Sequence, residues 1–570
     1  VKAVTVEKDG NVAMSVTAAS EDFYVYDANK SPITIDLNGY YIDFNFSSDP
    51  GVAAIWANSA GDLTIIDSTK SGTSYIRTNK KSLISWNTST LTIEDVKLVG
   101  MYSSSEPVIS NSSVNTTNLK NVEISSYKAG IVGQQHVDYN LENVTFNLGS
   151  SSCEYGIKLV GYNQVVLNNC SYKSAYGNGN LVWITSSSAH ATINGGTYTY
   201  SGGTSNYLLN VENGTLQIND GTFTNQYGTA LNIANGTVTI NGGAFDGREK
   251  TICVADAATL VLRGGYINAR TQFANKNGAA IAFDHTKTVE ALVGSGYFAT
   301  DTSTTTEDGY SLSGPEVSVY AKPDTATLSQ TEFTYNGKVQ TPTVTVKDIN
   351  GNTLQADTDY VVQYDNGRIN VGEYGVKVVF IDRYETMPAQ TLKYKINKAT
   401  YDMSKVKFAN KTVTYNGKNQ TITVTGLPAG VTATYTNNKK KAVGKYTATV
   451  KFTGDTTNYN PITETKTATF TIKPKGTSLK KLTPGKKQIK TTWKAQKTQT
   501  TGYQIQYSTN KNFKSGNKTV KVKKNKTTSS TIKKLKAKKK YYVRIRTYKT
   551  VNGKTYYSGW SKVKNVTTKK

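Results

Sequence analysis

The sequence predicts an all-β protein, a parallel β-helix followed by three β-sandwich domains. Three observations carry that expectation. Eleven short apolar segments recur along residues 33–298 at intervals of 22 to 31 residues, a period at which each repeat is one coil of a solenoid. Past residue 320 the motif Thr334-Tyr-Asn-Gly-Lys338 returns as Thr414-Tyr-Asn-Gly-Lys418, a second and longer repeat. Charge divides along the same lines: residues 1–320 hold 18 Lys+Arg against 28 Asp+Glu, residues 321–475 hold 21 against 12, and residues 476–570 hold 28 against none.

Residues 1–32 read as a first coil or cap, because an open solenoid end exposes strand edges and apolar side chains. In the repeats, Gly39, Asp67, Asp95, Asn121, Asn143, Asn169, Gly195, Asp220, Gly242, Gly264 and Ser295 serve as reference positions. Two residues earlier an aliphatic recurs: Leu37, Ile65, Ile93, Leu119, Leu141, Leu167, Ile193, Ile218, Ile240, Leu262 and Val293. Three residues later comes a second apolar column, from Ile42 through Leu98, Ile124, Phe146, Tyr172, Tyr198, Phe223, Phe245 and Ile267 to Phe298, broken only by Lys70. No single coil can bury such a face alone, so each coil lays it on the next, with strands about 4.8 Å apart. Asn and Asp at the reference position suit a tight turn with left-handed dihedrals, and their side chains can bond along the axis. The Gly-Gly pairs at 195–196, 242–243 and 264–265 fit the same turn. Over residues ~20–310 this pattern resembles the right-handed parallel β-helix of the pectate-lyase-like superfamily. The resemblance is at the level of fold, so the first domain is set at 1–314, with the Thr/Ser/Gly-rich stretch 301–314 as the exit.

In the longer repeat, Val371-Gly-Glu-Tyr374 returns as Val443-Gly-Lys-Tyr446, and Lys393-Tyr-Lys-Ile-Asn397 matches Thr469-Phe-Thr-Ile-Lys473. Short alternating strands broken by Asn-Gly, Pro or Gly suit sandwiches. The motif set resembles the MBG/YDG-type Ig-like modules of bacterial surface proteins, at 315–397 and 398–475. In 476–570, Ile489, Thr491 and Trp493 alternate on one strand and Tyr503, Ile505 and Tyr507 on the next. Leu535 precedes Tyr541 by six residues, and Tyr557-Ser-Gly-Trp-Ser561 closes the domain. That order resembles a fibronectin type III domain, here of the Lys-rich kind carried by Gram-positive, Firmicute-type surface proteins.

Chemistry is harder to find. A sugar-cleaving β-helix needs clustered acids with a base or a calcium ion, and the chain has no Asp-Asp and no His-Gly. His136, His190 and His285 have no metal-ligand spacing. The strongest catalytic cluster is Asp246-Gly-Arg-Glu249 with Arg270, Asp284 and His285 one to two coils on; a solvated turn is its plainer explanation. Glu94, Lys120 and Glu142 stack on consecutive coils, as do Lys97 and Glu123. Alternating sign is what closely stacked structural charges need, and the opposite of a catalytic carboxylate pair. Tyrosines in Thr197–Tyr207 could stack on sugar rings or simply fill the strands. The three cysteines (Cys153, Cys170 and Cys253) form no CxxC. Cys170 repeats the position of Val96, Val122 and Val144 and reads as a packed thiol, a bridge to Cys153 being the alternative.

No apolar run reaches the ~18 residues of a membrane span. The chain opens at Val1 without a signal peptide or anchor, which reads as a piece of a larger secreted protein. The expectation is a non-catalytic bacterial surface adhesin, extracellular or wall-associated, with the β-helix displayed to a glycan or host surface. The Lys-rich domain would hold an anionic wall polymer, not a specific nucleic acid. No catalytic residue, metal or cofactor is assigned. The alternative is a secreted polysaccharide lyase or hydrolase with accessory sandwiches.

Overall fold

A computed structural model describes residues 3–5, 14–16, 23–24, 32–46, 53–57, 61–79, 82–87, 89–100, 106–113, 115–126, 128–149, 153–174, 179–202, 207–270, 278–307 and 310–570. It is nearly all-β: the described residues hold one single-turn α-helix, Val289–Leu292, and a 3-10 turn at Asp382–Tyr384. Much of the predicted cap falls outside these residues. Its strands Ala3–Thr5, Met14–Val16 and Phe23–Tyr24 pair in parallel with Ile33–Asp36, Ile42–Phe44 and Ala53–Ala57, as a further coil does.

From Ile65 onward the first apolar column stacks in the expected register. Ile65, Ile93, Leu119, Leu141, Leu167, Ile193, Ile218, Ile240 and Leu262 pair in parallel coil by coil. Leu262 then bridges to Val293. The second column runs from Leu98 through Phe245 to Ile267. Its aromatics stack flat, Tyr198 on Phe223 at 5.0 Å and Phe223 on Phe245 at 4.7 Å. These side chains are essentially without solvent exposure.

Three expected positions are displaced. Ile35, not Leu37, faces Ile65, because the turn from Ile35 to Ile42 is two residues longer than the one from Ile93 to Leu98 that sets the common spacing. The gap assigned to Lys70 is filled by Ile76, which pairs with both Ile42 and Leu98. The turn at Ser68–Ser74 is long because the buried carboxylate of Asp67 gathers it. Asp67 Oδ1 accepts from Gly39 N at 2.8 Å and Thr69 Oγ1 at 2.6 Å, and Oδ2 from Ser71 N at 3.0 Å and Ser71 Oγ at 2.8 Å. Phe298 does not follow Ile267. The strand Glu316–Ala321 lies antiparallel between Gly265–Ala269 and Tyr297–Thr300, setting Val317 against Ile267 and Tyr320 against Phe298. The strands Thr304–Glu307 and Tyr310–Ser313 pair antiparallel, and the second lies antiparallel to Ala279–Asp284. Reversing strand direction ends the parallel stack and covers its edge.

The turn column behaves as its composition suggests. Asp95, Asn121, Asn143 and Asn169 have φ of 60°, 52°, 55° and 50°, and each amide donates to the coil before: Asn121 to Asp95 at 2.9 Å, Asn143 to Asn121 at 3.1 Å, Asn169 to Asn143 at 2.9 Å. At the next coil the left-handed position passes to glycine, with φ of 93° at Gly195 and 110° at Gly196. A Cβ on Gly196 would lie 2.0 Å from the carbonyl oxygen of Cys170, so this coil admits no side chain there. A register shift between Ile193 and Thr197 moves the ladder to Asn168, Asn194, Asn219 and Asn241, again bonded in sequence at 2.6–2.8 Å. Cys170 takes the Val position in the core, and all three thiols are free. Burial pushes the Cys153 and Cys170 pKa values up to about 11.

By contacts the chain forms two compact units. One holds residues 1–327 with 345–361 and 379–389; the other holds 328–344, 362–378 and 390–570. In the second unit the long repeat is repeated in its hydrogen bonds. Glu332–Thr334 pairs in parallel with Gln390–Asn397, and Lys411–Thr414 does so with Thr465–Lys473. After each strand the Asn-Gly turn closes identically: Lys338 N donates to Asn336 Oδ1 at 2.8 Å, and Lys418 N to Asn416 Oδ1 at 2.9 Å. Gln340 and Gln420 each donate back to the strand carbonyl, of Thr334 and Thr414, at 3.2 Å. The last domain packs two sheets, Leu479–Gly485, Gln488–Trp493 and Ser529–Ile532 against a sheet centred on Gly502–Ser508 and Lys540–Val551. Ile489, Trp493, Tyr503, Ile505, Leu535 and Tyr541 share its core, and the Tyr541 hydroxyl accepts from Lys536 N at 3.1 Å.

Candidate functional site

The acid-rich cluster named by the sequence is not assembled. Asp246 stands in register with Asn268, two residues before Arg270, and Arg270 Nε donates to both Asp246 oxygens at 2.8 Å. Its carboxylate is therefore engaged along the rod by a guanidinium, which holds the Arg270 pKa up in turn. Glu249 instead borders a polar depression of about 180 Å3 with Tyr227, Thr229, Arg248 and Lys250. Asp284 Oδ1 accepts from Thr286 N at 2.9 Å, a bond that lowers its pKa, and lies 3.7 Å from His285 Nδ1. Among the described residues no hydrogen bond or ion pair joins Asp284 or His285 to Asp246 or Glu249. Asp246 is thus held by Arg270 and is not a free carboxylate of the kind a glycosidase pair uses.

The stacked charges do what alternation implied. Lys120 reaches Glu142 at 3.1 Å and Lys97 reaches Glu123 at 3.3 Å. Nor do the tyrosines of 197–207 form an exposed strip. Tyr198 and Tyr200 are buried in the solenoid core, and Tyr207 alone is exposed. His136 and His190, distant in sequence, flank the exposed ring of Tyr162 at centroid distances of 5.1 and 6.4 Å. The acids of residues 398–475 lie at the surface: Glu464 pairs with Lys466 at 2.8 Å, Asp455 accepts from Thr457 N, and Asp402 from Ser404 N.

A larger concavity than the Glu249 depression lies on the lateral face of the early coils. It has a volume of about 450 Å3 and is lined by Tyr75, Arg77, Val99, Gly100, Ser125, Ser126, Asn147 and Gly149. Strand pairing places these residues. Arg77, Val99, Ser125 and Asn147 occupy one outward row on four consecutive coils, in register. Alternation along each strand turns Ile76, Leu98, Ile124 and Phe146 into the core, which leaves their neighbours facing out. Gly100 ends its strand at the edge of the groove.

At one end of the groove Tyr41 and Tyr75 stack nearly parallel, 4.5 Å apart at 6°. The Arg77 guanidinium lies 5.4 Å from the Tyr75 ring centre and donates its Nε to Asp43 Oδ1 at 3.0 Å. That pair fixes the guanidinium in place and raises its pKa. The result is a shallow surface with aromatic faces at one end, a held planar cation, and the hydroxyls and amide of Ser125, Ser126 and Asn147 beyond. Sequence reasoning missed it because Lys70 stood for Ile76 in the column. With the coil misaligned by six residues, Tyr75 and Arg77 were not recognisable as neighbours of Val99.

Residues 472–565 match the model of the fibronectin type III domain. No curated protein matches the sequence. Among solved structures, the FN1–FN3 domains of chicken CNTN1 are 14% identical, covering 44% of this chain and 99% of that one with a TM-score of 0.17. Domains A168–A170 of titin are 11% identical, covering 44% of this chain and 100% of that one with a TM-score of 0.19.

Proposed function

We propose that this chain is a non-catalytic interaction protein of a bacterial, Gram-positive cell surface, and that the solenoid binds a neutral glycan in the Tyr75–Arg77 groove. The observation that carries the reading is the stacked Tyr41–Tyr75 pair beside Arg77, opening onto Ser125, Ser126 and Asn147. Aromatic faces take the apolar side of a sugar ring, while hydroxyls, an amide and a guanidinium bond its hydroxyls. Charge argues for a neutral ligand. Arg77 is compensated by Asp43, and residues 1–320 hold more acids than bases, 28 against 18, so an acidic polysaccharide would meet repulsion. The two repeated modules, of MBG/YDG type, and the basic fibronectin type III domain form the stalk. Its cations face the anionic polymers of the wall, outside the cell.

A glycan array with the full chain tests this. The expected result is saturable binding to neutral glycans that weakens at least tenfold in Tyr75→Ala and in Arg77→Ala. Acidic polysaccharides are assayed in parallel for new reducing ends and unsaturated products. Product that disappears in Asp246→Ala or Glu249→Ala would make the chain a carbohydrate-active enzyme and overturn the reading.

A further inference from the structure

The fibronectin type III domain contains no Asp or Glu between residues 476 and 570, yet it holds two arginines in fixed positions. The segment 557–561 explains how. Ser558 and Ser561 lock it beside the strand Lys540–Val551: Thr547 N donates to Ser558 Oγ at 3.0 Å and Ile545 N to Ser561 Oγ at 3.1 Å. Backbone bonds from Ser558 N to Thr547 O and from Ser561 N to Ile545 O complete the clamp. This sets the Trp560 ring between the two guanidiniums that alternate outward from the strand. Arg544 lies 4.2 Å from the Phe513 ring centre and 4.7 Å from that of Trp560; Arg546 lies 4.3 Å from Trp560 and 3.8 Å from Tyr557.

The ladder therefore reads Phe513, Arg544, Trp560, Arg546, Tyr557. On the neighbouring strand Gln506 Oε1 accepts Arg544 Nε and Gln504 Oε1 accepts Arg546 Nε, each at 2.7 Å. The Nε edge of both guanidiniums is satisfied by a neutral amide, which supplies no charge. No protein acceptor among the described residues bonds their Nη atoms, and Lys521 stands in the same row, opposite Gln504. Both arginines are half-buried, and burial lowers their pKa values, with the Arg544 charge adding to the effect on Arg546. Arginine stays protonated at such shifts, so two held cations share one ring with no counter-charge.

We infer that the Arg544–Trp560–Arg546 ladder is an oxyanion site for an anionic cell-surface glycopolymer, gripping two successive charged groups through the free Nη edges. The inference rests on the reading of the basic domain as the wall-facing part and names the residues that do the work. Three features favour it over diffuse attraction to lysines. The forks are held in place before binding, which reduces the ordering cost. Their spacing along the strand, two residues or roughly 6.6 Å, suits adjacent charges of one polymer. Planar donors also match carboxylate and phosphate oxygens bidentately.

The test uses the full chain with two probes that distinguish the source of the oxyanion, polygalacturonate for carboxylate and polyribitol phosphate for phosphodiester. Uncharged dextran and a DNA duplex serve as references. Arg544→Gln with Arg546→Gln is expected to weaken binding of one probe at least tenfold, and Arg544→Lys with Arg546→Lys at least threefold although charge is kept. Lys481→Gln with Lys490→Gln removes the same charge from the other sheet and is expected to change binding less than twofold. Phenylglyoxal footprinting of the unaltered chain needs no variant to fold: bound polymer should protect Arg544 and Arg546. Equal losses from the arginine and lysine pairs, or no protection, would overturn the ladder while leaving polymer binding by the domain intact. Failure of both probes to bind, or DNA bound as tightly as either, would overturn the wall-facing reading as well.

Discussion

The solenoid and the fibronectin type III domain meet the same problem, like charges brought close by β-pairing, and answer it differently. On the rod, strands repeat at about 4.8 Å, so any outward position is a column of near neighbours. There the sequence alternates sign: Lys70 with Asp95, Lys97 with Glu123, Lys120 with Glu142, Arg270 with Asp246. Where charge is absent, amides take over and each donates to the coil before it. The last domain has no acid with which to alternate. It separates cations with aromatic rings and orients them with glutamines. On the rod the stacked cations are matched by acids one coil away; a domain whose cations are unmatched is open to an external anion.

The largest effect expected on the rod comes from its core, where no charge is involved. Phe223 is fully buried and stacked on both sides. Phe223→Ala should cost about 3–5 kcal/mol, read as faster amide exchange spreading from the coils of Tyr198 and Phe245. A loss under 1 kcal/mol would mean the column does not carry the fold. Asp67 comes next. Its carboxylate is 1% exposed and gathers Gly39, Thr69 and Ser71, so Asp67→Ala should cost about 3 kcal/mol through donors left unpaired. Burial alone would raise its pKa, but the bonds from Thr69, Ser71 and Gly39 outweigh that and hold it at about 2. A carboxyl depressed below its unfolded value of about 3.9 stabilises fully above that value. The contribution is then lost as pH falls through about 2. An acid titration followed by circular dichroism should show this step in the native chain and not in Asp67→Ala.

Periodicity made the rod legible because an inward residue must land on another inward residue. Nine coils in a row obey that rule, from Ile65 to Leu262. What was not legible depends on turns and chain ends. The Asp67 turn adds residues that no strand pattern records, so Lys70 stood where Ile76 packs. The antiparallel strand Glu316–Ala321 has the same alternation as a parallel one, and direction leaves no mark in composition. The groove inherited the first error, since its residues are recognisable only once Arg77 and Val99 share a row. Likewise Tyr557-Ser-Gly-Trp-Ser561 was visible as a motif, but the two serine bonds that fix Trp560 between the arginines were not.

The smallest effect is also the sharpest test of the comparison. Lys120→Glu would set three carboxylates in one column, Glu94 and Glu142 being its register partners. Lys120 is surface-exposed, and its ion pair with Glu142 raises its pKa, so the change replaces a weak attraction with repulsion across two spacings. The expectation is a small fall in melting temperature at low salt, largely removed at 1 M salt, where charges are screened beyond about 3 Å. The fibronectin type III domain should respond in the opposite direction. Its cations repel one another in the native chain, so added salt should stabilise it without any substitution. A salt-insensitive loss in Lys120→Glu would show that the rod's alternation reflects packing and not charge, and the contrast between the two regions would fall with it.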